Sequence, residues 1–206
     1  TLGLGIRDVD RILARFSLLT EQHIAPPTTF TMENLLAFLD GNLEDSSAYG
    51  VGLPIGRDYR TQDKPLHDDV LAMLRQVQAN SGLTSTYVMR LPAEPGSGAT
   101  TLLRATAYAA AREGFPTLVL RPEQIAIDHE ELSAFATTIS EGTLALGLEQ
   151  IPPMLIVIDV EHDQHGIAAR GIAGTLARQG RSAVVLHAVA AQDAEADVER
   201  RTRRAA

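Results

Sequence analysis

The stretch TYVMRLPAEPGSGATTLLRATAYAAAREG, residues 86–114, decides the fold of this chain. It begins with a β-rich run at Thr86–Leu91, passes through a glycine-containing loop and continues as a helical pattern from Thr100 to Glu113. Glycine suits a loop whose backbone must turn sharply or approach a ligand closely, because it has no Cβ. The stretch therefore predicts a strand, a tight loop and a helix in direct succession.

The same alternation of strand and helix continues as far as residue 190. An apolar run such as Met154–Val160 is typical of a parallel strand that is covered on both faces. Strands that alternate with helices imply right-handed βαβ units, so we predict an α/β fold with a parallel sheet between two helical layers. The other predicted elements are strands at Phe115–Arg121 and Ser182–Ala190 and helices at 128–148 and Gly166–Gln179.

Ahead of this core, helical patterns replace the alternation, and we predict a helical N-terminal segment with linker over residues 1–54 and an α/β core over residues 55–206. Ile6–Ile24 has apolar side chains at three-to-four spacing, which predicts an amphipathic helix. Thr31 is placed to cap a short helix at Met32–Asp40.

Residues 41–64 are rich in Gly, Ser, Asp and Asn and predict a long loop. Pro65 suits the first turn of a helix that continues to Gln78, because proline lacks the N–H that a first-turn residue leaves unbonded. Lys64 is the only lysine in the sequence and falls in this polar region, well upstream of the glycine loop.

Composition narrows the classes of function. The formal net charge of −8 argues against a general nucleic-acid binder, which needs clustered cations facing phosphates. No apolar run reaches the roughly 18–20 residues that a membrane span requires. Cysteine is absent, which excludes disulfides and thiolate zinc sites within these residues. The first residue is not Met and no signal-peptide pattern follows, so we interpret the chain as a fragment of a longer cytoplasmic protein.

The glycine loop matches the phosphate-binding pattern G-x-x-x-x-G-K-[ST] at two of its four defining positions. Gly98 and Thr100 agree with the pattern, whereas Ala93 replaces its first Gly and Ala99 replaces its Lys. Such a loop holds phosphate with inward N–H groups and with the positive end of the following helix. The candidate nucleotide ligands are Glu94, Pro95, Gly96, Ser97, Gly98, Ala99, Thr100 and Thr101.

The loss of the loop lysine has a calculable effect. One charge-assisted contact to the outer phosphates is worth on the order of 1.5–3 kcal/mol, a factor of roughly ten to 150 in affinity. Hydrolysis suffers more than binding, because lysine neutralises charge on the transferred phosphoryl group. Lys64 does not replace the missing loop lysine, because it lies in a turn far upstream of the glycine loop in the sequence. We therefore expect ATP or ADP with Mg²⁺ to bind weakly, with little or no turnover.

A second strand supplies carboxylates near the expected site. In PPMLIVIDVEH, residues 152–162, Asp159 ends an apolar strand, where α/β sheets gather ligands. With Thr100 it would complete a Mg²⁺ site. Glu161 would lie on the same side of an extended strand and is the candidate for orienting an attacking water. The alternatives are a solvent-facing strand-end cap for Asp159 and a solvated side chain for Glu161.

Residues 86–123 together with residues 152–162 resemble the P-loop NTPase core of the STAND and AAA+ type. The resemblance implies a nucleotide-binding α/β/α core, truncated here at its C-terminus, inside a larger bacterial signalling or anti-phage defence protein. IGRDY, residues 55–59, resembles the Gly-Arg-acidic box of these proteins, which implies that Gly56 and Arg57 lie beside the adenine base. The implied partners are the nucleotide, other domains of the same chain and, as an open alternative, further copies of it.

Three hypotheses follow. The first is a regulatory switch that binds ATP or ADP with weak or no hydrolysis. The second is a pseudo-NTPase scaffold, an interaction domain whose loop stays empty. The third is an ATPase silenced by an engineered Lys-to-Ala change at Ala99.

Overall fold

The protein is described by a computed structural model for residues 13–19, 31–40, 60–61, 64–80, 85–94, 96–121, 132–138, 141, 151–159 and 167–190. The elements within these ranges are, in chain order, β1 (Phe16–Leu19), α1 (Met32–Leu39), β2 (Arg60–Thr61), β3 (Lys64–Pro65), α2 (Leu66–Ala79), β4 (Thr86–Ala93), α3 (Ala99–Arg112), β5 (Thr117–Leu120), β6 (Met154–Ile158), α4 (Ile167–Arg178) and β7 (Ala183–Ala190). Residues 132–138 are also helical.

A five-stranded sheet in the order β1-β5-β6-β7-β4 forms the centre of the fold. The pairs β4–β7, β6–β7 and β5–β6 are parallel, and within this five-stranded sheet β1 joins antiparallel, next to β5. The four parallel strands therefore end at one common edge, which we call the carboxyl edge, and begin at the opposite amino edge. The predicted parallel α/β fold is confirmed.

Two apolar layers, one on each face of the sheet, produce the three-layer arrangement. Successive strand residues point to opposite faces, so Leu155 and Val157 belong to one layer whereas Ile156 and Ile158 belong to the other. Helices α2 and α3 cover the first face, and α4 with residues 132–138 covers the second. Every side chain of β6 is buried, as a parallel strand between two helical layers requires.

The helix ends follow from local sequence. At the start of α1, the Thr31 hydroxyl accepts from the Asn34 amide at 3.2 Å, while the Asn34 side-chain oxygen accepts from the Thr31 amide at 3.0 Å. This reciprocal cap confirms the predicted start of the helix. At the end of α3, Gly114 has φ of +86° and Phe115 N–H donates to Ala110 C=O at 3.1 Å, which is the Schellman arrangement.

The helix predicted over Ile6–Ile24 is wrong for residues 16–19. Residues 13–15 are helical, but Phe16–Leu19 is strand β1, paired with β5 so that Phe16 lies opposite Leu120. Phe16 is fully buried there. Burial against the sheet edge outweighs the local helical spacing, which a short apolar run cannot enforce by itself. The rest of this prediction lies outside the described residues.

The loop predicted over residues 41–64 also contains structure at its end. Arg60 pairs with Pro65 and Thr61 pairs with Lys64, which forms a two-stranded hairpin immediately before α2. Pro65 is the last residue of β3, and the predicted helix begins one residue later. Within the described part of the chain, no helix is long and apolar enough to cross a membrane.

Candidate functional site

The loop between β4 and α3 lies at the carboxyl edge of the sheet. Gly96 and Gly98 both have left-handed backbone angles, with φ of +73° and +84°. The Ser97 amide donates to the Glu94 carbonyl at 3.0 Å, which closes the turn. Gly98 is the N-cap of α3, and no side chain caps the helix there. The first turn of α3 therefore presents N–H groups that helix geometry leaves without partners inside the helix.

Open space borders both glycines. A Cβ built on Gly96 or Gly98 would meet no atom of the described structure within 4 Å. Their backbone angles, rather than crowding by the protein, therefore explain why glycine occupies these positions. A loop with two left-handed glycines, open space beside them and a helix start directly after them has the features of an anion-binding loop.

Ser97 lies between the two glycines and is only 6% exposed. Its hydroxyl oxygen has no hydrogen-bond partner among the described residues. A buried hydroxyl without a hydrogen-bond partner reduces stability by on the order of 1–3 kcal/mol. Ser97 therefore destabilises the folded protein unless a ligand or water forms a hydrogen bond with its hydroxyl. The sequence predicted Ser97 only as one of the candidate nucleotide ligands of the loop. Residue spacing does not indicate whether a short polar side chain is buried.

Ala99 is the first residue of α3 and occupies the place of the loop lysine in the phosphate-binding pattern. It is 7% exposed and belongs to the apolar layer of α2 and α3. Thr100 is exposed and Thr101 is half-buried. Position 99 therefore contributes packing and no charge, whereas the hydroxyl of Thr100 is available to solvent.

Asp159 follows the last residue of β6 and is half-buried. Strand alternation places it in the series of Leu155 and Val157, whose layer also contains α3. One strand, β7, separates β6 from β4, which corresponds to about 10 Å at the usual strand spacing. Asp159 and the loop thus share the same edge and face of the sheet, as the prediction of a joint Mg²⁺ site requires.

Four predicted site residues, Pro95, Gly56, Arg57 and Glu161, lie outside the described residues. Their roles stay predictions. The described ranges contain no group of three or more His, Cys, Asp or Glu side chains that could hold a metal ion. A Mg²⁺ ion here would consequently need phosphate oxygens and water in addition to Thr100 and Asp159.

Comparison with known proteins found one matching family and a similar solved structure. A family model described as Novel STAND NTPase 7 matches residues 74–206, more than half of the chain. Among solved structures, the chain is similar to one titled "Structure of C. elegans PCH-2", with 17% sequence identity and a TM-score of 0.32. That similarity covers 62% of this chain and 38% of the other. No curated protein matches the sequence.

Proposed function

Because this chain belongs to the Novel STAND NTPase 7 family, we propose that it is a nucleotide-binding switch module of a larger protein. It binds ATP or ADP at residues 94–101 and hydrolyses it slowly or not at all. The observation that carries the proposal is the buried Ser97 hydroxyl, which lacks a partner between two left-handed glycines at the uncapped start of α3.

The loop fits a phosphate group by its donors. Backbone N–H groups around Gly98 and in the first turn of α3 need acceptors, and phosphate oxygens are strong acceptors. The partial positive charge at the start of α3 favours the anion, and the Ser97 hydroxyl can donate one further bond. A phosphate would therefore complete hydrogen bonds that the described residues leave incomplete.

Thr100 and Asp159 are the residues that would hold Mg²⁺. When bound, the ion neutralises charge on the phosphate oxygens. The exposed hydroxyl of Thr100 can serve as a direct ligand, and Asp159 can act through water from its neighbouring strand. Glu161 remains the proposed residue for orienting water.

The alanine at position 99 limits the activity that we propose. A lysine in this place would donate to the outer phosphates, and its absence costs roughly 1.5–3 kcal/mol of binding. The positive charge of such a lysine also neutralises negative charge on the phosphoryl group during transfer, so its absence reduces hydrolysis more than binding. The loop can thus still bind nucleotide at millimolar concentration, but it does not hydrolyse the nucleotide efficiently.

A switch also needs a path from the loop to the rest of the protein. Helix α3 starts in the loop and packs along α2, and the Arg75 guanidinium bonds both carboxylate oxygens of Glu113 just beyond the end of α3. Nucleotide that binds one arrangement of these helices more tightly shifts the population toward it. The partners we propose for this signal are other domains of the same chain.

Thermal unfolding with added Mg-ATP or Mg-ADP tests the proposal. At a free nucleotide concentration 100 times the Kd, binding stabilises the folded state by about 2.7 kcal/mol. For a chain of this size that corresponds to a rise in Tm of about 5–10 °C. Absence of any shift at millimolar nucleotide would instead support the scaffold with an empty loop.

A further inference from the structure

We propose that Arg121, the residue directly after β5, is a further nucleotide-binding residue whose guanidinium contacts the outer phosphates of a nucleotide in the loop at residues 94–101. This inference rests on the proposed function, since a phosphate contact matters only if nucleotide occupies the loop. Residues 93–101 contain no lysine or arginine, so a positive side chain for the phosphates has to come from elsewhere in the fold. The register of the sheet brings Arg121 to the carboxyl edge, where the loop lies.

The pairing of β5 with β6 places Arg121 beside Asp159. Val119 lies opposite Val157 in this parallel pair. Two residues further along each strand, the same register brings Arg121 opposite Asp159. The Arg121 amide donates to the Arg15 carbonyl at 2.9 Å, so the backbone of Arg121 is held in the sheet. The backbones of Arg121 and Asp159 are therefore separated by one strand spacing, about 4.8 Å.

The side chain of Arg121 lies on the face of the sheet that α3 covers. Val119 packs against the apolar layer of α2 and α3, whereas Leu120 belongs to the opposite layer. Because successive strand residues alternate between the two faces, Arg121 shares the face of Val119. Asp159 and the start of α3 belong to this face too. Arg121 is exposed there, so its guanidinium is open to a ligand at the same edge and face.

The reach of an arginine side chain fits the distance to the loop. Six bonds join its Cα to the terminal nitrogens, which gives about 7 Å when the side chain is extended. Because β6 and β7 separate β5 from β4, Arg121 lies about 14 Å along the edge from the strand that leads into the loop. The side chain can cover about half of this gap, and outer phosphates that extend from the loop toward Asp159 can cover the rest. Each phosphate added between AMP and ATP therefore brings negative charge closer to the guanidinium.

Three other described arginines occupy different positions around the loop. Arg15 lies opposite Arg121 in the pairing of β1 with β5, one strand further from the loop. Arg90 belongs to β4 but alternates with Leu91, so it lies on the face of α4. Arg104 lies on α3, five residues or about 7.5 Å after the start of the helix. Arg104 is consequently the competing candidate for a phosphate contact and belongs in the test.

Calorimetric titration of the variant Arg121→Met with ATP, ADP and AMP tests the inference. We expect its Kd for ATP to rise about five- to tenfold, the lower range for a charge-assisted contact because the side chain is exposed. Its Kd for AMP should change less than about twofold, since the charge of a single phosphate in the loop is distant and screened. Arg121→Lys keeps the charge and should bind ATP within about threefold of the wild type. Arg178→Met is the matched control, because it removes an exposed charge at the amino edge, where α4 ends, and should leave the Kd for ATP unchanged.

A second background separates contact with phosphate from an effect through Asp159. The same titration is made in EDTA with a protein that carries Asp159→Asn, a change that we expect to leave ATP binding without Mg²⁺ intact. If Arg121 acted only by positioning the Asp159 carboxylate, Arg121→Met would have no effect in this background. We expect it to raise the Kd for ATP about fivefold there too, and disappearance of the effect would overturn the phosphate contact.

The remaining outcomes decide between the inference and the proposed function. Equal ATP affinity in Arg121→Met and the wild type would overturn the inference, and so would an equal loss for AMP and ATP. A loss that is larger for ATP than for AMP in Arg104→Met, with none in Arg121→Met, would assign the contact to Arg104 instead. Failure of the wild type to bind any nucleotide at millimolar concentration would refute the proposed function itself.

Discussion

Replacing Gly98 by alanine tests the role of the loop, and Gly114→Ala provides a control with the same backbone cost. Both glycines are left-handed, with φ of +84° and +86°, and a Cβ on either would meet no described atom within 4 Å. Each substitution therefore costs about 1–2 kcal/mol of backbone strain, offset by about 0.4–1 kcal/mol from the less flexible unfolded chain. We expect both variants to lose about 1 kcal/mol of unfolding free energy.

Their effects on nucleotide binding should differ. Gly98 lies in the loop, where a Cβ would occupy the space into which a phosphate must come close to the backbone. Gly114 follows α3 at the opposite edge of the sheet. We expect Gly98→Ala to raise the Kd for ADP by at least about tenfold, the loss of one strong phosphate contact, and Gly114→Ala to leave it unchanged.

Urea unfolding gives the stability of each variant, and calorimetry with ADP gives its Kd. Equal ADP affinity in Gly98→Ala and the wild type would refute the assignment of the loop as the phosphate site. An equal loss of affinity in both variants would show that the effect comes from reduced stability rather than from the loop.

The other predictions concern single side chains around the same core. Ser97→Ala removes a buried hydroxyl that lacks a described partner, so we expect the unliganded protein to gain up to about 1 kcal/mol in urea unfolding while its Kd for ADP rises several-fold. Asp159→Asn should weaken ATP binding in the presence of Mg²⁺ but not with EDTA; equal weakening in both titrations would argue against a metal role. Ala99→Lys should increase phosphate release if the loop was silenced by that residue alone, and a folded but inactive variant would favour a switch without turnover. Arg75→Met breaks a partly exposed ion pair with Glu113 and should cost about 0.2–1 kcal/mol in urea unfolding; a loss above 3 kcal/mol would show that the pair is far more important than its exposure indicates.

The backbone of the glycine loop and the position of Asp159 could be predicted from sequence because their determinants are local. Two glycines between a β-rich run and a helical run are enough to predict a loop with special backbone angles, and Gly96 and Gly98 both have them. An apolar run that ends in a carboxylate is enough to place Asp159 at the edge of the sheet. Burial of the Ser97 hydroxyl could not be predicted, since it depends on atoms that the fold brings around it.

By itself, the sequence determined which of the described segments from residue 66 onward become strands and helices, since hydrophobic period, glycine and proline act over a few neighbouring residues. Only the tertiary structure decided how these segments meet. Phe16–Leu19 has an apolar pattern that also suits a helix, and pairing with β5 makes it a strand. Helices α2 and α3 share one apolar layer, and Arg75 bonds Glu113, through packing between residues far apart in the chain. Such contacts depend on burial in three dimensions, which no local period encodes.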